Sequence, residues 1–412
     1  MLTRHTETAL GQARAIQGGK TRPRVQVNCE RFTGYRPCEP YKLCAGCLDR
    51  RPITMRVLII NLGGMGAMLM TTTILPKIRR QYPEANIDWL TMPNAASLLE
   101  NLPELHRVWQ YGPETPFVLP LIKYDIAYNV DKDVVSAAVM HCVDAEQKMG
   151  FGLDEHGNLS YYNDEARYAF EMGINDELKF RANQRPAIEI LAESLGLDTQ
   201  LDEYRLKLSD EERRFVAQYR SRIGDHVLVG INTGCSERLP NKKLTIEQHI
   251  ELGHRILRMW PDVKILLLGS SLEKARNCEI AQALSEYIDR VVETPTEEGL
   301  RRGICYIDAA DIVVSGDTFA MHVAIALRKW VVVWFGLSCI QEIHVYDRGQ
   351  KLSANVPCSP CWKPECDRDL SCRDQIDLGE LVAAVRQGMA WLHNTRNPVL
   401  PTLAEIIFKA QP

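Results

Sequence analysis

The sequence predicts an α/β protein of two halves, each a parallel sheet clothed by helices, facing one another across a cleft. Three observations carry this. Short continuous apolar runs, suited to strands buried on both faces, recur at roughly one per 30 residues, the period of βαβ units. Helical apolar spacing follows most of those runs. The alternation lapses over a polar stretch, 150–225, and then restarts.

The first unit is Arg56-Val-Leu-Ile-Ile-Asn61, a strand that leads into Gly63-Gly-Met-Gly66. Beyond that turn Met68, Leu69, Thr72, Ile74, Leu75 and Ile78 fall at helical spacing, Arg79 and Arg80 sit in the last turn, and Pro83 ends the run. Strands are expected next at 86–91 and 125–130, then a helix over 134–149. The stretch 150–225 reads as a connector holding a helical pattern at 185–195 and a charge-rich run at 210–222. After it come a strand at 226–232, an amphipathic helix at 245–259, a strand at 263–268, a helix at 272–287, a strand at 311–315, a helix from Asp317 and a strand at 330–335. The expected organisation is a cysteine-rich extension over 1–52, a first domain with linker over 53–224, a second domain over 225–384 and a helical tail over 385–412. In such sheets ligands bind beyond the carboxyl ends of the strands, so the cleft is the expected site.

Composition narrows the function classes. The 412 residues suffice for two to four domains, and 49 Lys+Arg against 53 Asp+Glu leave a net charge of −4. Hydrophobic residues at 45% and charged residues at 25% match an ordinary globular protein, which argues against disorder and against a nucleic-acid partner. The longest apolar runs, such as 330–337, fall well short of the roughly 18 residues a spanning helix needs. Residues 1–24 lack an apolar signal core, so a cytoplasmic location is expected, with peripheral association at the inner membrane.

Four segments carry chemistry. Gly63-Gly-Met-Gly66 lets backbone approach an anion at a helix start, or simply packs a tight turn. It does not fit the dinucleotide pattern G-x-G-x-x-G, and Asp88 lies mid-strand where a ribose-binding acid would sit at a strand end. Asp317-Thr-Phe-Ala-Met-His322 follows a strand and opens an apolar helix; Asp317 and Thr318 are natural N-cap residues, and the same geometry turns free N–H groups and the His322 imidazole toward a diphosphate. Asn232-Thr-Gly-Cys-Ser-Glu-Arg238, running on to Lys243, sets Thr233, Gly234, Arg238, Lys242 and Lys243 on one loop, fit to neutralise phosphate or simply solvated. Thirteen cysteines include two quartets, Cys358, Cys361, Cys366, Cys372 and Cys29, Cys38, Cys44, Cys47. Without an export signal they read as closed four-thiolate sites for a structural zinc or iron, the alternative being free buried thiols.

The segments 56–67, Tyr82-Pro-Glu-Ala-Asn-Ile-Asp88, Asn232-Thr-Gly234, Asp317 to His322, Phe335-Gly336 and Cys358-Ser-Pro-Cys361, taken in order, resemble glycosyltransferase family 9, the ADP-heptose lipopolysaccharide heptosyltransferases, over about 56–384. The N-terminal quartet resembles a branch with a cysteine-rich extension. The resemblance implies a GT-B architecture, two Rossmann-like domains with the acceptor in the first and the nucleotide sugar mainly in the second. It implies inversion at the anomeric carbon, an ADP-heptose donor, a lipid-linked or glycan acceptor at the inner membrane surface, and no catalytic divalent ion. It assigns the donor to Gly66, Thr233, Gly234, Lys242, Asp317, Thr318, Met321 and His322, with Lys242 on phosphate. Two positions depart from the family pattern. Many members carry glycine where Phe319 stands, and the family's proposed base, an aspartate, is replaced by Ala67. A methyl group accepts no proton, so Asp131 and Asp133 are the alternative bases by topology. An impaired homologue that only binds or scaffolds, and a GT-B nucleotide-sugar epimerase or hydrolase, are the competing readings.

Overall fold

The structure, a computed structural model, describes residues 28–32, 38, 44 and 47–396, without the side chain of residue 396. The chain divides into two units at Thr54 and Met55. In the first, Glu30 N–H donates to Arg51 O at 2.8 Å and Cys47 N–H to Cys44 O at 3.3 Å, short loop bonds that gather the cysteine segment.

The second unit holds two six-stranded sheets. The first contains β1 (Arg56–Asn61), β2 (Asn86–Thr91), β3 (Leu105–Gln110), β4 (Lys123–Asn129), β5 (Asp144–Leu153) and β6 (Leu159–Tyr161), in the order β3-β2-β1-β4-β5-β6. All pairs are parallel except β5–β6. The second contains β7 (Val227–Asn232), β8 (Val263–Leu268), β9 (Val291–Glu293), β10 (Ile312–Gly316), β11 (Trp330–Phe335) and β12 (Gly349–Ser353), in the order β12-β11-β10-β7-β8-β9 and parallel throughout. Both sheets therefore change direction between their first and fourth strands, β1/β4 and β7/β10, the point where such sheets open a ligand crevice. This is the GT-B arrangement that the resemblance implies.

The central strands are continuous apolar runs because helices cover both faces: Val57 to Ile60 and Ile312 to Val314 are fully buried. One apolar cluster crosses from half to half, joining Met68 and Leu69 of the helix Met65–Thr71 to Met321, Val323 and Ala324 of the helix Phe319–Ala326. The two glycine- and acid-led helices thus pack together at the seam.

Several expected elements differ. The helix predicted through 68–80 is two, Met65–Thr71 and Ile74–Gln81, because Thr71, Thr72 and Thr73 turn their hydroxyls back onto the carbonyls of Ala67, Leu69 and Met70. The helix expected over 134–149 ends at Cys142. From Asp144 the chain runs as β5 beside β4, and this ladder outweighs the helical spacing of its apolar residues. The helix at 272–287 stops at Ala283 and continues as 3₁₀ turns. The connector is largely structured: it holds β6, the helices Arg167–Ile174 and Ala187–Ser194, and Asp210–Ile223, whose Ser209 and Glu212 form a reciprocal capping box. Asp210–Ile223 lies against Leu300–Ala309, with the Tyr219 and Tyr306 rings 5.0 Å apart. The C-terminal helix starts earlier than expected, at Leu378, and buries Leu381 and Val385; the expected tail beyond residue 396 lies outside the described residues. No helix among the described residues is long and apolar enough to cross a membrane.

Candidate functional site

The carboxyl ends of the two sheets border a cleft of about 1010 Å³. Buried asparagines end the central strands and fix its rim. The Asn232 amide at the end of β7 donates to Gly234 O at 2.9 Å and to the Ser315 and Thr318 hydroxyls, each at 3.1 Å. At the end of β1 the Asn61 amide donates to Asp131 Oδ1 at 2.9 Å, while the other Asp131 oxygen accepts from the Leu62 and Gly63 N–H groups. Burial pushes the Asp131 carboxyl up to about 6 against the pull of those donors. Its role is to hold the glycine turn in place.

The charged centre lies at the end of β10. Gly316 allows the Lys242 carbonyl to approach so closely that a Cβ would collide with it, and the Trp334 indole donates to that same carbonyl at 3.0 Å. This holds the 240–243 loop over the strand end. The Lys242 ammonium then meets Asp317 Oδ2 at 2.6 Å and lies 4.6 Å from the centre of the Trp362 ring. Burial works against the Asp317 carboxylate, but Lys242 and His322 outweigh it and hold its pKa below the ordinary value. Thr318 occupies the N-cap position of Phe319–Ala326 without a side-chain cap bond; its hydroxyl is engaged by Asn232 and Ser315 instead. Phe319 and Ala320, the first helical residues, line the cleft with their N–H groups at the positive end of the helix.

His322, one turn on, is buried, stacks on the Tyr204 ring at 6.0 Å, and leaves Nδ1 without a partner among the described residues. Burial lowers its pKa to about 4 despite the pull of Asp317, so the ring is neutral near pH 7. Its edge rests on Gly66: a Cβ there would lie 2.6 Å from His322 Cδ2. A side chain at residue 66 would require the His322 ring to shift.

Of the residues singled out in the sequence, Gly66, Ala67, Gly234, Lys242, Asp317, Thr318 and His322 line the cleft. Four do not. Thr233 is fully buried and braces β7 to β8 through Leu268 O at 3.2 Å and Asn277 Oδ1 at 2.5 Å. Met321 lies wholly in the apolar core, because in a helix starting at Phe319 it falls on the face turned from the cleft. Asp131 locks the turn, and Asp133 caps the helix Val134–Cys142 through the Val135 and Ser136 N–H groups. Asp88, set aside as a ribose ligand, is buried on His106 Nδ1 at 3.0 Å and the Tyr124 hydroxyl at 3.1 Å.

Three cleft residues went unread in the sequence. Glu273 accepts from the Ser270 N–H at 2.9 Å and hydroxyl at 2.6 Å and packs against Gly234; the spacing Ser270-x-x-Glu273 was a legible capping box. Glu342 comes from the 3₁₀ turn after β11 and Trp362 from the loop after β12, where no periodicity announces them.

Cys358, Cys361, Cys366 and Cys372 line one cavity of about 350 Å³ together with Asn241, next to Lys242 in sequence. Burial pushes the Cys372 thiol up to about 11, and the other three cysteines add to the rise. Cys29, Cys38, Cys44 and Cys47 line a smaller hollow of their own. In both places the donors are right in number and chemistry. Among the described residues no three of His, Cys, Asp or Glu are arranged as a group that could hold a metal ion.

The family model for glycosyltransferase family 9 (heptosyltransferase) matches residues 120–370. Lipopolysaccharide heptosyltransferase 2 of Escherichia coli K12 is 23% identical over 297 residues, 69% of this chain and 83% of that protein. Among solved structures, E. coli heptosyltransferase WaaC with ADP superposes with a TM-score of 0.58 at 16% identity, covering 81% of this chain and 100% of that one. The dodecameric iron-containing heptosyltransferase TibC in complex with ADP-D-beta-D-heptose gives 0.52 at 14% identity, covering 83% and 79%. At these identities the superpositions speak for the fold alone.

The Gly66–His322 contact predicts that Gly66→Ala lowers unfolding free energy by about 1–3 kcal/mol, the cost of overpacking a close contact, measured as a lower urea midpoint at unchanged slope. An unaltered midpoint would mean that the ring yields freely. Buried His249, lowered to about 3, and His322, lowered to about 4, predict a pH dependence. Each folded pKa lies below the unfolded value near 6.5, so only the unfolded state takes up these protons as pH falls from about 6.5 toward 4. Stability should fall over that window by at most about 1.4 kcal/mol per pH unit per histidine, and His322→Gln should make the slope shallower. Equal slopes for the two proteins would contradict the assignment.

Proposed function

Because this chain belongs to glycosyltransferase family 9, we propose that its cleft binds a nucleotide sugar of the ADP-heptose kind and transfers the sugar, with inversion, to a hydroxyl of a lipopolysaccharide-core or related glycan. The observation that carries this is the Lys242–Asp317 pair, 2.6 Å apart at the start of Phe319–Ala326. A diphosphate there would meet free helix N–H groups and the ammonium of Lys242, preorganised donors that favour the charge developing on departing ADP. Asp317 keeps Lys242 pointed into the cleft, and neutral His322 adds no competing charge. The Glu273 carboxylate beside Gly234, on the rim made by β7 and β8, suits the hydroxyl-rich nucleoside end. The acceptor would enter along the glycine turn Gly63 to Gly66. WaaC with ADP and TibC in complex with ADP-D-beta-D-heptose support this choice of ligand.

One observation favours a second reading, a homologue that binds donor without turning it over: the exposed methyl of Ala67 lines the cleft where the family has its base. Consumption of ADP-heptose, followed by mass spectrometry with and without a panel of lipopolysaccharide-core acceptors, separates the two. Sugar transfer supports the enzyme; tight ADP binding with no consumption supports the binding protein.

TibC contains iron, and in this chain the C-terminal quartet is the better candidate for a structural metal, its four thiols being gathered on one cavity beside the Lys242 loop. Elemental analysis of purified protein should find close to one zinc or iron per quartet; less than about half an equivalent per chain would contradict it, since such sites bind tightly. Lys242→Ala is expected to weaken ADP binding about 10- to 100-fold by calorimetry, the scale of a lost charge-assisted hydrogen bond. An unchanged affinity would move the phosphates elsewhere.

A further inference from the structure

Inverting transfer needs a group to take the proton of the attacking hydroxyl, and Ala67 offers none. Among the described residues the cleft is lined by three carboxylates, Glu273, Asp317 and Glu342. Glu273 is held by Ser270, and Asp317 is bound to Lys242. Both carboxylates are thereby committed to partners in their own half. Glu342 is differently placed. It follows β11, is half-buried, and has the Cys339 thiol beside it.

Charges from both halves surround Glu342. Asp317 belongs to its own half. Lys132, which follows β4, and Lys179, from the turn Leu178–Ala182, belong to the other half or its linker. The adjacent Gln341 amide donates to Lys179 O at 3.4 Å, which ties this loop across the seam. Glu342 therefore stands between the diphosphate end of the cleft and the half in which the acceptor is expected.

We propose that Glu342 is the general base of the transfer, the side chain that removes the proton from the acceptor hydroxyl. The inference rests on the transferase reading above. In the step, the hydroxyl oxygen of the acceptor sugar forms a bond to the anomeric carbon of the donor as the bond from that carbon to the β-phosphate oxygen breaks. The bonding pair leaves with ADP, beside Lys242, and the hydroxyl proton passes to a Glu342 carboxylate oxygen. Burial raises the pKa of Glu342, Asp317 adds to the rise, and Lys179 and Lys132 oppose it, so the carboxylate is more basic than an exposed glutamate.

The test compares wild type with Glu342→Gln in ADP release from ADP-heptose, with lipopolysaccharide-core acceptors and with water alone, beside ADP affinity by calorimetry. The expected result is a fall of about 10²- to 10⁴-fold in kcat with ADP affinity unchanged within about twofold, and loss of the acid limb of the kcat/KM profile. An active wild type with an equally active variant overturns the assignment while leaving the transferase intact. A variant that loses ADP binding along with turnover also overturns it, since the side chain would then be holding the site together. A wild type that binds ADP but consumes no donor under any condition overturns the transferase reading and the base with it.

Discussion

The imidazole of His322 lies against bare backbone at Gly66, and the face-to-face arrangement of the two sheets is organised around that contact. It joins the first turn of Met65–Thr71 to the first turn of Phe319–Ala326, so the glycine turn after β1 and the acidic turn after β10 open into the same space. The surrounding apolar cluster, from Met68 and Leu69 to Met321 and Ala324, keeps the halves from sliding. A buried, neutral histidine with one unpartnered nitrogen costs stability that a purely apolar residue would not. What the position gains is a polar ring edge beside a charge pair in a confined cleft.

Charge in the cleft is divided by position rather than spread. Asp317 directs Lys242, Glu273 shapes the loop at Gly234, and Glu342 lines the cleft among charges of both halves. Asp317 is held below the ordinary carboxylate value by Lys242 and His322, whereas burial raises Glu342, so two carboxylates of one cleft are pushed in opposite directions. The cysteine segment is linked to the same centre. Trp362, between Cys361 and Lys363, lies under the Lys242 ammonium, and Asn241 lines the cysteine cavity, so the loop that carries the quartet also borders the Lys242 side of the cleft.

Much of this was legible in the sequence wherever burial imposes a pattern. The strands β1, β2, β7, β8, β10 and β11 announced themselves as apolar runs because both their faces are covered, and Gly66, Lys242, Asp317 and His322 followed from their places after those strands. Edge strands did not. β3 is only half-buried along its length, and β12 reads Gly-Gln-Lys-Leu-Ser; each depends on pairing with a neighbour, which no local period records. For the same reason β5 was mistaken for helix. Met321 and Thr233 show the converse error, since family motifs include residues that hold a loop as well as residues that face a ligand. Glu342 and Trp362 were invisible because they reach the cleft from irregular loops, brought there by contacts far away in sequence.

The central claim is that a nucleoside diphosphate sits at the start of Phe319–Ala326, between that helix and the loop after β7. Hydrogen exchange followed by mass spectrometry, with and without ADP, tests it directly. The account predicts slower exchange in peptides covering 232–243 and 317–326. Protection confined to other parts of the chain, with those two segments unchanged, would contradict it.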